Sequence, residues 1–202
     1  MSCPPARYLR IAAFVAAAFL ALHHGVQSAT VAEERLAPCM VCHGEGASSA
    51  EPNTPLLAGQ PSFYAITQLF LFREGRRGSE LMIAVAKGMT DDDLRNFSDL
   101  IGGLPPPSKR ANLTDLSRMA RGAALAQKHR CASCHGADYA GGKQVARLAH
   151  QREPYLTKAL VEFRSGKRLG YTSAMNEALT GISPDALPDL AHYLANLPAP
   201  AP

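Results

Sequence analysis

The chain has 202 residues, of which 19% are charged and 47% hydrophobic, and its formal net charge at neutral pH is +4. This composition is that of a folded globular protein and excludes a disordered or fibrous chain. No block of five or more Lys and Arg residues occurs, so the sequence predicts no nucleic-acid partner.

The N-terminal segment has the pattern of an export signal. Arg7 and Arg10 precede an apolar run from Ile11 to Leu22, and small residues follow around Ser28 and Ala29. The run is shorter than the roughly 20 apolar residues that span a bilayer. The sequence therefore predicts a cleaved secretory signal over residues 1–29 and an exported mature chain, with an uncleaved anchor as the alternative.

The next part of the chain predicts three main helices. One leads into a cysteine-rich motif over about 31–41, and a second follows Pro61 and runs to about Arg73. A third begins at Thr90, because Asp93 stands where a capping-box partner is expected.

A proline-rich segment, Pro105-Pro106-Pro107-Ser108, then predicts a stiff linker. Beyond it, helices are predicted over about 115–133 and from Pro154 to about Arg164. The last helix starts near Ser183 or, because Pro188 breaks a continuing helix, later in the chain. No strand pattern appears, so the predicted fold class is all-α.

The cysteines form two C-x-x-C-H motifs once Cys3 is set aside with the signal. They read CMVCH over 39–43 and CASCH over 131–135. This is the attachment signature of c-type haem: two thiols on one face of a helical turn bond the porphyrin edge, and the following imidazole reaches the iron. The predicted attachment residues are Cys39, Cys42, Cys131 and Cys134, and the predicted proximal iron ligands are His43 and His135.

Three other uses of these cysteines are less favoured. A redox-active C-x-x-C expects a preceding strand, and neither pair has one. A zinc site expects its two cysteine pairs closer together than the 92 residues that separate these. A disulfide inside C-x-x-C closes too short a loop to stabilise much. We therefore predict two covalently bound haem c groups.

An internal repeat supports one haem in each half. LAGQ over 57–60 recurs as LAHQ over 148–151, and FREGRR over 72–77 recurs as FRSGKR over 163–168. The offset of 91 to 93 residues is that between the two C-x-x-C-H motifs. The predicted organisation is a first copy over 30–104, a linker over 105–112 and a second copy over 113–202.

The repeat also selects the sixth ligand of each iron, which in electron-carrying cytochromes is commonly methionine. Met82 lies eight residues before Thr90, and Met175 lies eight before Ser183, whereas Met89 has no counterpart. We therefore predict Met82 and Met175 as distal ligands. Bis-histidine ligation of the second haem is the alternative, and it would use one of the remaining histidines of the mature chain: His129, His150 and His192.

Four basic residues recur in matched turns. They are Arg76, Arg77, Lys167 and Arg168. They pair with haem propionates or lie in a solvated turn, and the sequence does not separate these two interpretations.

The C-x-x-C-H-G motifs, the LAGQ and LAHQ segments, the two matched turns and a Met before each last helix resemble the cytochrome c4 family. The resemblance covers residues from about 33 to 198. It implies a periplasmic dihaem protein of two tandem class I cytochrome c domains, with His43/Met82 and His135/Met175 ligation. One departure is that Pro55, whose carbonyl helps to orient the proximal histidine in the family, is replaced by Ala146 in the second copy.

The resemblance also implies a function. Such a protein carries single electrons from a quinol-oxidising complex towards a terminal oxidase in a respiratory chain and has no substrate site, so no catalytic residue is predicted. Peripheral association with membrane complexes fits this role. The alternative is the electron-accepting cytochrome subunit of a dehydrogenase such as a sulfide-oxidising flavocytochrome.

Overall fold

A computed structural model describes residues 34–44, 52–108, 114–168 and 173–198. The predicted signal over 1–29 lies outside the described residues. The chain divides into two compact units, Met1–Pro38 and Cys39–Pro202, and the contacts discussed below lie within the second. No helix of the described residues is long and apolar enough to cross a membrane.

The first copy contains four described helical segments. Their bounds are 34–43 (α1), Ser62–Arg73 (α2), Glu80–Ala86 (α3) and Asp91–Gly102 (α4). Helix α2 packs against α3 and α4. The capping box predicted at the start of α4 is confirmed, since Thr90 N–H donates to Asp93 Oδ2 at 2.9 Å and Asp93 N–H donates to Thr90 Oγ1 at 3.1 Å.

The second copy contains five described α-helices and a short 3₁₀ turn. The helices are Leu116–Lys128 (α5), Ala132–His135 (α6), Glu153–Arg164 (α7), Ala174–Leu179 (α8) and Leu187–Ala195 (α9), and the 3₁₀ turn is Pro184–Ala186. Helix α9 begins just before Pro188, as its proline predicted. The described residues contain an isolated bridge between Gly142 and Val145 but no strand, so the all-α prediction is confirmed.

The continuous helix predicted over 115–133 is wrong. Helix α5 ends at Lys128, and Arg130 adopts a positive φ of 53°. Cys131 N–H then donates to the carbonyl oxygen of Ala126, five residues earlier, at 3.0 Å. A hydrogen bond of this span is typical of a helix that ends at a left-handed residue. The second C-x-x-C-H motif therefore begins a new turn instead of extending α5.

The core of the second copy forms where α5 crosses α9 and α7 packs against α9. A Cβ on Gly122 would lie 2.5 Å from the Tyr193 Cβ and closer still to the Asp189 carbonyl, so only glycine allows this approach. Buried aliphatic residues of α7 and α9 complete the core. They include Leu156, Leu160, Leu187, Leu190 and Leu194.

Candidate functional site

The four motif cysteines lie on or beside helical turns and are not joined in disulfides. Burial raises the pKa of the Cys39 and Cys131 thiols, so both are protonated near neutral pH. A redox-active C-x-x-C requires a lowered thiol pKa, so this environment argues against that alternative. Among the described residues no group of three or more Cys, His, Asp or Glu could hold a metal, which also disfavours zinc.

Each motif histidine is buried and held through the same ring nitrogen. His43 Nδ1 lies 2.7 Å from the Pro55 carbonyl oxygen, and His135 Nδ1 lies 2.9 Å from that of Ala146. Because a carbonyl oxygen only accepts, Nδ1 carries the proton and Nε2 keeps its lone pair. Burial lowers the pKa of both rings, so each is neutral near pH 7 and suited to bind a metal.

The second histidine is thus oriented in the same way as the first, although alanine replaces proline. The carbonyl belongs to the backbone, so its acceptor capacity does not depend on the side chain. The sequence departure at Ala146 leaves this hydrogen bond in place.

Met82 and Met175 occupy matching places in the two copies. Met82 lies in the first turn of α3 and Met175 in the first turn of α8, and both are half-buried. Met175 and Cys131 pack against the same core cluster. Met89 instead lies in the turn before α4, where its carbonyl accepts from Arg73. The placement supports Met82 and Met175, and their ligation stays a prediction.

The other three histidines differ in which of their ring nitrogens have a hydrogen-bond partner. His150 Nε2 lies 3.0 Å from the Leu197 carbonyl oxygen, so that nitrogen is engaged. His192 Nδ1 bonds to Glu153 Oε2 at 2.8 Å. The Nε2 atoms of His129 and His192 are buried without a hydrogen-bond partner in the described structure, so the bis-histidine alternative stays open at these two residues.

Of the four matched basic residues, Arg76 and Lys167 are exposed, whereas Arg77 and Arg168 turn inward and meet between the copies. Both guanidiniums donate to the Tyr155 hydroxyl, at 3.0 and 3.2 Å respectively. Burial alone would raise the pKa of Tyr155, but the two guanidiniums outweigh it and lower that pKa.

Arg168 is buried, and in the described part of the chain no carboxylate lies within 4.0 Å of either guanidinium. Burying cations without an anion is costly. Arg77 and Arg168 donate to the neutral acceptors Tyr155, Tyr64 and Gln68, so their pairing with haem propionates stays a prediction. Arg76 and Lys167 are exposed, as in the solvated-turn interpretation.

Two glutamines that the prediction left without a role connect the copies. Gln151 in the second copy bonds to both backbone groups of Leu56, with Leu56 N–H to Oε1 at 2.8 Å and Nε2 to Leu56 O at 2.9 Å. Gln60 bonds in the same way to Arg147, at 3.1 and 3.0 Å. Their matched places in LAGQ and LAHQ were the available sequence signal.

Arg152 is a second residue without a predicted role. Its guanidinium is buried and crosses to the first copy, where it donates to the carbonyls of Cys42 at 3.2 Å, Thr54 at 2.8 Å and Gly44 at 2.7 Å. The matching residue of the first copy is Pro61. Arg152 thus fixes the end of the first haem motif, and the local sequence gave no signal for it.

Comparisons with known proteins agree with this architecture. The family model of cytochrome c matches residues 119–198. Cytochrome c4 from Azotobacter vinelandii is 28% identical over 201 residues, which cover 87% of this chain and 92% of that protein. A thiosulfate dehydrogenase electron acceptor from Stutzerimonas stutzeri (strain A1501) is 29% identical over 169 residues, covering 79% of this chain and 78% of that one.

A solved structure also resembles the chain along its length. Cytochrome c4 from Acidithiobacillus ferrooxidans superposes with a TM-score of 0.70 at 28% identity, covering 80% of this chain and 99% of that chain. The predicted fold class, two tandem class I cytochrome c domains, is confirmed by this likeness. The bounds predicted for the two copies and the linker stay predictions.

Proposed function

We propose that this chain, which is similar to cytochrome c4 proteins and matches the cytochrome c family model over residues 119–198, is a cytochrome c4 and a periplasmic dihaem cytochrome of a respiratory chain. It is an electron-transfer cytochrome with covalently bound haem c, and it is a carrier and not an enzyme. In this proposal it holds two haems and passes single electrons from a quinol-oxidising complex towards a terminal oxidase.

The observation that carries the dihaem proposal is the duplicated histidine geometry. In both copies a buried ring donates from Nδ1 to a backbone carbonyl and keeps Nε2 for the iron. This hydrogen bond is the usual outer support of a metal-bound imidazole. One such site fits a monohaem protein with an extra domain, whereas two equivalent sites fit two haems.

Each haem, when bound, supplies a one-electron Fe(III)/Fe(II) couple. In the proposal the chain fixes the haems through Cys39 and Cys42 in the first copy and Cys131 and Cys134 in the second. His43 with Met82 and His135 with Met175 would fill both axial positions. With both positions filled, neither iron has an open site for a substrate, and the residues serve to hold each group and set its potential.

Reductive titration of the purified holoprotein tests the proposal. We expect two electrons to be taken up per chain, and we expect reoxidation by a terminal oxidase when a quinol-oxidising complex supplies the electrons. Uptake of one electron per chain would contradict the dihaem assignment. Failure to exchange electrons with either complex would contradict the proposed place in a respiratory chain.

A second candidate function is that of electron acceptor for a dehydrogenase. It is favoured by the similarity to the thiosulfate dehydrogenase electron acceptor of Stutzerimonas stutzeri. Rapid mixing of the oxidised protein with a thiosulfate dehydrogenase and thiosulfate separates the two functions. Haem reduction faster than reduction by the quinol-oxidising complex would favour the acceptor role, and slower reduction would favour the respiratory carrier.

A further inference from the structure

Gln60 and Gln151 occupy the same place in the repeat, and each crosses into the opposite copy. The two residues are only 7% and 4% exposed, so water competes little for their amides. Each amide bonds to the N–H and the C=O of one residue, namely Leu56 for Gln151 and Arg147 for Gln60. The two contacts are therefore reciprocal.

The N–H that each glutamine accepts belongs to the peptide group that holds a proximal histidine. The Pro55–Leu56 peptide receives the His43 Nδ1 proton at its carbonyl and donates its N–H to Gln151 Oε1. The Ala146–Arg147 peptide is likewise shared between His135 and Gln60. A single planar unit thus joins each histidine to a glutamine of the other copy.

Hydrogen bonds that share a peptide group strengthen one another, by about 10–30% per bond. Acceptance of the N–H by the glutamine makes the peptide carbonyl a better acceptor for the histidine Nδ1–H. A stronger bond at Nδ1 makes the opposite nitrogen a more basic ligand. A more basic axial ligand stabilises the ferric state and lowers the reduction potential.

We propose that Gln60 and Gln151 are positioning residues. Each acts across the interface and strengthens the hydrogen bond that orients the proximal histidine of the opposite copy. Gln151 acts on the first haem through Leu56, and Gln60 acts on the second haem through Arg147. The inference rests on the proposed function, since it requires a haem bound through each histidine. Its consequence is that the packing of the two copies and the potentials of both haems are linked.

The test uses Gln151→Met and Gln60→Met in the full-length holoprotein, with exposed Gln127→Met as the matched control. The potential of each haem is measured separately by redox titration followed by NMR. In Gln151→Met we expect the reduced-to-oxidised ratio of the first haem, at fixed ambient potential, to rise about two- to threefold. This is about 18 to 28 mV for a one-electron couple, because tenfold corresponds to 59 mV.

Each substitution is expected to shift the haem of the opposite copy, and this distinguishes the proposed role from an effect on local packing. Gln60→Met should shift the second haem in the same direction and leave the first unchanged, and Gln127→Met should shift neither. A shift confined to the haem of the substituted copy, or no shift in either variant, would overturn the proposal while leaving the dihaem carrier intact. Loss of the dihaem carrier itself would appear earlier, as a wild-type protein with fewer than two histidine-ligated haems.

A measurement on the wild type covers the case in which a variant does not fold. Amide hydrogen exchange at Leu56 and Arg147 reports the two N–H groups directly, since neither residue lies in a helix. We expect slow exchange at both in the holoprotein. Exchange at either amide as fast as in an unfolded peptide would show that the glutamine does not hold it, and would overturn the proposal.

Discussion

The two copies share the geometry of their motif histidines but differ in how the surrounding chain supports it. In each copy a buried histidine donates to a backbone carbonyl, and a glutamine from the other copy holds the same peptide. Within the described residues, the haem motif of the first copy receives a buried guanidinium from the second copy, since Arg152 donates to Cys42, Thr54 and Gly44, whereas the matching residue of the first copy is Pro61.

This difference separates two kinds of constraint. The histidine geometry is the one that the proposed iron ligation would require, and both copies keep it even where Ala146 replaces Pro55. The glutamine contacts between the copies are also kept on both sides, whereas the Arg152 contact is not. The first haem motif depends on the second copy through Arg152, and the described structure shows no equivalent guanidinium on the second motif.

The largest effect is expected from the predicted distal ligands, which should behave alike in both copies. Met175→Ala should convert the second haem, and Met82→Ala the first, to a high-spin form that binds carbon monoxide, because the sixth ligand is lost. Absorption and magnetic circular dichroism spectra check this. Met89→Ala is the matched control and should stay wholly low-spin; a low-spin Met175→Ala protein would show that the assignment is wrong.

The next effect should fall on the second copy alone. Gly122→Ala places a methyl group against the Asp189 carbonyl and the Tyr193 side chain, so α5 and α9 must separate. We expect a loss of about 3 kcal/mol in the free energy of unfolding, measured by denaturant titration. Gly88→Ala in the first copy, where nothing lies within 4 Å of the added atom, is the control. Equal stability of the two variants would contradict the described crossing.

The dependence of the first motif on Arg152 gives a third expectation. Arg152→Met removes the donors to three carbonyls and should destabilise the protein by about 2 kcal/mol. The accompanying change in NMR shifts should appear at the first haem, although the substitution lies in the second copy. Arg95→Met, on an exposed helical surface, should change little. A perturbation confined to the second haem would contradict the dependence of the first haem motif on Arg152.

The smallest effect concerns the last helix of each copy. Thr90 caps α4 in a reciprocal capping box, whereas Ser183 makes no side-chain cap before the 3₁₀ turn. Thr90→Ala should therefore cost about 1 kcal/mol of unfolding free energy, and Ser183→Ala close to none. Thermal unfolding of the two variants side by side checks the difference. A larger loss for Ser183→Ala would contradict the structure at this turn.

Much of the fold follows from local sequence chemistry. The capping pair Thr90 and Asp93, and the prolines near the starts of α2, α7 and α9, placed those helix starts because their effects act within one turn. The break at Arg130 was missed because a non-glycine residue with positive φ carries no sequence signal.

The residues of the candidate site likewise divide into those that the sequence pattern marks and those that it does not. Spacing alone marked the cysteines and histidines, and the repeat selected the two methionines. The partners of Arg152 lie 98 to 110 residues away, and those of the glutamines 87 to 95 residues away. Such contacts depend on how the copies pack, which local propensity does not encode.

The most direct measurement is the mass of the mature protein together with its oxidised and reduced spectra, with and without carbon monoxide. We expect a mass that includes two haems, low-spin spectra with a methionine–iron charge-transfer band, and no carbon monoxide binding. A single haem would contradict the duplicated site. A high-spin haem that binds carbon monoxide would contradict one methionine assignment and give that iron an open site for chemistry.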